Sequence, residues 1–265
     1  MNNGGSMLYG ICTPVHNAGA ARQTGWDFIE ENAQKFLVGD VPSTEWQGLE
    51  HVRHAALPVL AANSLIPASL KITGPEVDIA HLMRYMHQVC ARAKQIGITT
   101  LVFGSGGARN VPEGFDHVTA RQQIVDFLAQ SAPIAAQHDV TLVVEHLNTS
   151  ESNIITSLRE ALWYVQAVGH PNVQCLVDSY HFWLEDEPLE NLRDALPAIR
   201  HVHLADKDGR LPPGESGSAD YRPLFRALKD GGYTGPISVE ARGFEDIHAM
   251  GARVLDYIKQ QWAEA

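Results

Sequence analysis

Apolar residues recur along this chain in two alternating rhythms. Short runs rich in Val, Ile, Leu and Phe fall at 8–12, 28–31, 60–65, 100–103, 141–145, 174–178, 201–204 and 237–240. Several are continuously apolar, as expected of strands buried on both faces in a parallel sheet. Longer amphipathic stretches lie between them. The stretch 77–96 places Leu82, Met86, Val89 and Ala93 at helical spacing, and 120–137, 157–168, 189–199, 221–228 and 247–262 read the same way. Gly97, Gly169, Gly231 and Gly232 stand where a helix C-terminus favours glycine. The connection after the first run is too short for periodicity to define a helix there.

Eight strand runs alternating with helices predict a parallel α/β fold, and the number eight predicts a single (β/α)8 barrel over 7–265. An open doubly wound sheet is the competing arrangement. No G-x-G-x-x-G follows the first run to support its dinucleotide-binding version. The loops 104–114 and 207–218 follow strands, so they belong at the C-terminal mouth, where barrel enzymes carry their chemistry.

Composition narrows the function classes. A chain of 265 residues, 45% hydrophobic, can build such a core. A formal net charge of −11 repels phosphate backbones and anionic lipid, so neither nucleic acid nor a membrane surface is an expected partner. Cys12, Cys90 and Cys175 are far apart and form no C-x-x-C pair, which suits a reducing, cytoplasmic setting. No apolar run approaches the ~20 residues of a membrane span. Residues 1–6 are polar and glycine-rich, without a signal peptide's pattern. They read as a disordered or tag-derived tail, with Met7 as the natural start.

Candidate chemistry gathers on the last four strand runs. They end as Thr141-Leu-Val-Val-Glu145, Cys175-Leu-Val-Asp178, His201-Val-His203-Leu and Ile237-Ser-Val-Glu240. A charge closing an apolar strand is costly to bury unless paired or bound to metal. Three carboxylates brought together around a barrel axis would repel one another and raise their pKa values. One divalent cation, held by Glu145, Asp178, His203 and Glu240, removes that repulsion. A rim salt bridge explains any one of these residues, but explains four on successive strands poorly. Oxygen-rich ligands with one imidazole suit Mn2+, or Mg2+ or Co2+, better than zinc.

The motifs Glu145-His-Leu-Asn148-Thr-Ser-Glu151, Asp178-Ser-Tyr-His181 and His201-Val-His203-Leu-Ala-Asp206 resemble the sugar phosphate isomerase/epimerase superfamily. This xylose isomerase-like barrel group includes D-tagatose and D-psicose 3-epimerases. The resemblance runs from about residue 60 to 242 and is weaker before that. It implies the same four ligands, with Glu145 and Glu240 also acting as acid and base on opposite faces of the substrate carbon. It implies that Glu151 supports a substrate hydroxyl and that His181 contacts substrate oxygens. Arg210 stands one residue later than the family's arginine, behind Gly209, as a one-residue loop insertion would leave it. His146 replaces the family's common proline, which points to a subgroup.

The expected reaction is proton abstraction next to a carbonyl of a small sugar or keto-sugar, through a metal-stabilised enediolate, giving isomerisation or epimerisation. The alternative from the same site is β-elimination on a keto-sugar, keto-glycoside or inosose, by a lyase or dehydratase. A DNA-repair nuclease on the same barrel fits poorly with the negative charge and a single ligand set. A non-catalytic sugar- or protein-binding barrel would carry no transition metal. A homo-oligomer is expected of barrels of this group.

Other residues carry weaker signals. Trp183, two residues after His181, is expected to wall the substrate pocket. The Gly104-Ser-Gly-Gly-Ala-Arg109-Asn110 loop reads as a tight turn needing glycine for positive φ, or as an anion site using Arg109. His16 follows the first strand and could reach the mouth. His201 shares a strand face with His203 but lies deeper, where packing or hydrogen bonding suits it better than metal binding. His146 should face away from the axis. Cys12 has no evident base and reads as packing.

Overall fold

In the computed structural model, which describes residues 7–265, the eight apolar runs become eight parallel strands in a closed barrel. They are β1 Tyr9–Cys12, β2 Phe28–Asn32, β3 Val59–Asn63, β4 Thr100–Phe103, β5 Thr141–Glu145, β6 Val173–Asp178, β7 Ile199–Leu204 and β8 Ile237–Val239. Each strand pairs with its sequence neighbours, and β8 closes on β1 with Ile11 opposite Val239. The reading of residues 1–6 as a tail lies outside the described residues.

Side-chain alternation divides each strand between two environments. Ile11, Ile29, Ala62, Leu101, Phe103, Val144, Val177, Val202, Leu204 and Val239 face outward into the large core shared with the helices. The residues between them face inward. Deep in the barrel these are Phe28, Val102, Val143, Leu176, His201 and Ser238, all buried. Gly10 makes room there, since a Cβ on it would meet the Phe28 ring at 2.3 Å. One step toward the mouth, β1 to β8 present Cys12, Glu30, Asn63, Gly104, Glu145, Asp178, His203 and Glu240. The fold therefore brings the strand-end charges to one level.

The helices form the outer layer. Ile79–Ile96, His117–Gln137, Leu158–Val168 and Ile247–Glu264 begin at Asp78, Asp116, Ser157 and Asp246, whose side chains accept the backbone N–H three residues on. Gly97 and Gly169 end their helices at φ 98° and 62°. Of the glycine pair after Arg222–Asp230, only Gly232 takes positive φ, 71°. The helical pattern at 189–199 covers a shorter helix, Leu189–Ala195, because Pro197 imposes a 3-10 turn and Ile199 already belongs to β7. No helix among the described residues is long and apolar enough to cross a membrane.

Candidate metal centre

Glu145, Asp178, His203 and Glu240 each offer one ligand atom, and these atoms lie within 4.8 Å of one another. Three of them have their other polar atom engaged elsewhere: Asp178, Glu240 and His203. Asp178 caps the helix Ser179–Leu184: its Oδ1 accepts the Tyr180 N–H at 2.7 Å, and its Oδ2 is buried with no hydrogen-bond partner among the described residues. Glu145 Oε1 and His203 Nδ1 are likewise buried and without partners. Glu240 Oε1 accepts from Asn63 at 2.8 Å, while Oε2 accepts from Arg210 at 2.5 Å and lies 3.5 Å from His203 Nδ1. Three partnerless buried atoms, three carboxylates and one imidazole fit a divalent cation, because such atoms are otherwise expensive to bury.

Electrostatics agree. Burial pushes the Asp178 carboxyl up to about 7, with Glu145 and Glu240 adding to the effect and Arg210 opposing it. Burial also acts to raise Glu240, but His203 and Arg210 overcome it and hold this carboxyl down to about 2. Burial opposes the imidazolium of His203, yet Glu30 and Glu240 raise its pKa well above the usual value. The cluster thus attracts positive charge.

Glu30 escaped the sequence reading, which recorded only the strand around it. Its carboxylate is buried and contacts His203 Nε2 at 2.8 Å and His201 Nε2 at 2.7 Å. Burial alone would raise its pKa, but the two histidines hold it well below the usual carboxylate range. The available signal was a carboxylate pair, Glu30-Glu31, closing an apolar strand. Glu31 is spoken for locally, accepting the backbone N–H groups of Val15 and Asn32. Cys12, Glu30 and His203 form a second group of metal-ligand type, but there the carboxylate and imidazole already satisfy each other.

The structure brings Arg210, Glu151 and His181 to the same place. Asp206 organises the loop after β7 by accepting the Gly214 and Ser216 N–H groups and the Tyr221 hydroxyl, the last at 2.7 Å. Gly209 and Arg210 turn at φ 75° and 55°. That turn aims Arg210 at Glu240 and lays it over the Tyr180 ring at 4.9 Å. Its other guanidinium nitrogen is 3.7 Å from Glu151. Asn148 donates its backbone N–H and its side-chain amide to His181 Nδ1, at 3.2 and 2.9 Å. The ring proton therefore sits on Nε2, a buried donor with no hydrogen-bond partner among the described residues. Burial, then Arg210, lowers the pKa of His181 to about 4, so the ring is neutral.

Trp183 is not brought to this group. It packs at a tilt against Tyr221, ring centroids 4.8 Å apart, and lines a separate rim pocket with Asp186, Lys207 and Ser218. Nor does Arg109 face an anion: it is fully buried and donates to the carbonyls of Phe103 and Glu145. Gly104 does not take positive φ; its role is space, since a Cβ there would stand 1.7 Å from Glu145 Oε2. His146 is buried behind the site, against His181 and Phe182. His16 lines the mouth and is exposed.

Two cavities open beside the cluster, of about 660 and 480 Å³. Glu240 and Ser64 border both. Glu145, Glu151 and Arg210 line the smaller one. Either would admit a small sugar.

A family model described as a xylose isomerase-like TIM barrel matches residues 18–260. The mouse protein named "Putative hydroxypyruvate isomerase" is 31% identical over 185 residues, covering 67% of this chain and 64% of that protein. The chain thus spans less than two thirds of that relative's length. L-ribulose 3-epimerase of Methylomonas sp. (strain DH-1) is 24% identical over 253 residues, covering 94% of this chain and 85% of that protein. The crystal structure of 3-keto-D-glucoside 4-epimerase from E. coli superposes with a TM-score of 0.80 at 21% identity, covering 96% of this chain and 100% of that one. That last likeness is one of fold.

Proposed function

The chain belongs to the xylose isomerase-like TIM barrel family, and from that premise we propose that it is a divalent-metal-dependent sugar isomerase or epimerase acting next to a carbonyl. The observation that carries this reading is the set of four ligand candidates turned toward one centre, three of them with a buried, partnerless atom. Glu145, Asp178, His203 and Glu240 would hold Mn2+, or Mg2+ or Co2+. Bound there, the ion supplies Lewis-acid stabilisation for the negative charge that develops on a carbonyl oxygen when the adjacent carbon loses its proton.

The remaining work falls to the chain's own residues. Glu240 is the most open of the four, its side chain 22% exposed against 6% for Glu145 and 1% for Asp178, so substrate reaches it first. Arg210 keeps it ionised and fixes its Oε2, ready to take a proton from carbon. Glu145, across the same cavity, returns a proton. Return to the same carbon on the opposite face gives the epimer; return to the neighbouring carbon, with the hydroxyl proton passing to the former carbonyl oxygen, gives the aldose–ketose isomer. His181 offers Nε2–H to a substrate oxygen. Glu151, held by Asn148 at 3.0 Å, receives a substrate hydroxyl.

The names of the relatives, isomerases and epimerases, favour these equal-mass reactions over β-elimination. The test is substrate C–H exchange with D2O, using hydroxypyruvate, ketohexoses, L-ribulose, inososes and 3-keto-glycosides, with products followed by mass and NMR. Exchange should require added metal, and Glu240→Gln should lower it by about 10²–10⁴. Full exchange by Glu240→Gln would remove that residue from the reaction. Loss of water or an aglycone would make the enzyme a lyase.

A further inference from the structure

An imidazole ligates a cation only through a nitrogen that carries no proton, so the other ring nitrogen must hold one. His203 turns Nδ1 to the cluster, 3.4 Å from Glu145 Oε1 and 3.5 Å from Glu240 Oε2. Its Nε2 points the other way, 2.8 Å from Glu30 Oε1. A carboxylate can only accept, so Glu30 holds a ring proton on Nε2, and Nδ1 is the nitrogen left to give up its proton when a cation binds. The second oxygen of Glu30 is engaged in the same manner, 2.7 Å from His201 Nε2, which also lies 3.3 Å from the Ser238 hydroxyl. One carboxylate is thus held between two imidazoles, with no freedom to rotate away from His203.

We propose that Glu30 is the positioning residue of the metal centre: it sets the tautomer and ring angle of His203, and through them the affinity for the cation, with His201 as its brace. Glu30 does not itself touch the ion. The inference rests on the reading of Glu145, Asp178, His203 and Glu240 as a metal site. It assigns the deeper histidine, which is not a ligand, a reason to be there. Carboxylate partners of this kind are typically worth 10- to 100-fold in metal affinity.

The test measures Mn2+ dissociation constants by chelator competition in wild type and in Glu30→Gln, Glu30→Asp and His201→Gln. Glutamine matches glutamate in size but has one acceptor oxygen, so it can take a proton from only one of the two rings. Affinity should fall by about 10- to 100-fold in Glu30→Gln, with the metal-free melting temperature near that of wild type. Glu30→Asp restores two acceptors and should recover part of the loss. His201→Gln should lose less than Glu30→Gln. NMR of Mg2+-loaded wild type provides a readout without mutation: a slowly exchanging His203 Nε2–H. Wild-type affinity in Glu30→Gln, or a proton on Nδ1 of loaded His203, would overturn the proposal. Wild type that binds no Mn2+ would instead overturn the metal-site reading on which it stands.

Discussion

The two halves of the barrel treat the same level of the interior differently. At the mouth ends of β5 to β8 stand Glu145, Asp178, His203 and Glu240, which turn ligand atoms to a common centre. β1 to β4 present Cys12, Glu30, Asn63 and Gly104, which turn none there. Glu30 engages the far nitrogen of His203, Asn63 engages the far oxygen of Glu240, and Gly104 leaves room for the Glu145 carboxylate. One half offers groups and the other holds them. Converging carboxylates repel, so their supports must not compete for the same cation. An amide, a carboxylate already paired to two histidines and a missing side chain all meet that condition.

The division can be attacked from the supporting side. Gly104→Ala should have the largest effect among the supports. Its Cβ would overlap Glu145 Oε2, and the buried carboxylate must move to escape. A misplacement of that size should cost on the order of 10²-fold in kcat/KM, with the fold retained by circular dichroism. Unchanged activity would show that Glu145 has room to spare. Asn63→Ala should follow, with roughly a tenfold loss, because Arg210 still holds the other oxygen of Glu240. A loss as large as that of Glu240→Gln would promote Asn63 from support to participant. Trp183→Phe should be smallest, with kcat/KM within about twofold and a stability cost of about 1 kcal/mol. A tenfold rise in KM would return Trp183 to the substrate pocket.

The offering half was easier to read in the sequence than the holding half. A charge that closes an apolar strand has few cheap uses in a core, and four in succession narrow the choice further. The strands themselves were legible for the same reason: continuous apolar runs such as Thr100–Phe103 mark their own limits. Short mouth helices such as Gly106–Arg109 and Ser179–Leu184 were not, since four to six residues hold no period. Asn63 lies inside the 60–65 run with nothing local to mark it, and its contact with Glu240 spans 177 positions. Gly104 was read as a backbone need, whereas the need is space beside a partner 41 residues on (145 − 104). Glu30 was visible as a carboxylate in a strand, but its meaning depends on two histidines brought round by closure of the barrel.

Calorimetric titration of the metal-free protein with Mn2+, comparing wild type with Asp178→Asn, decides whether the four side chains form a metal centre. Asp178 is chosen because its Oδ1 already caps a helix and asparagine keeps that cap, so only the centre loses its charge. One ion should bind per wild-type chain, with no saturable binding in Asp178→Asn. Equal binding by both proteins, or none by wild type, would contradict a metal centre built from these four.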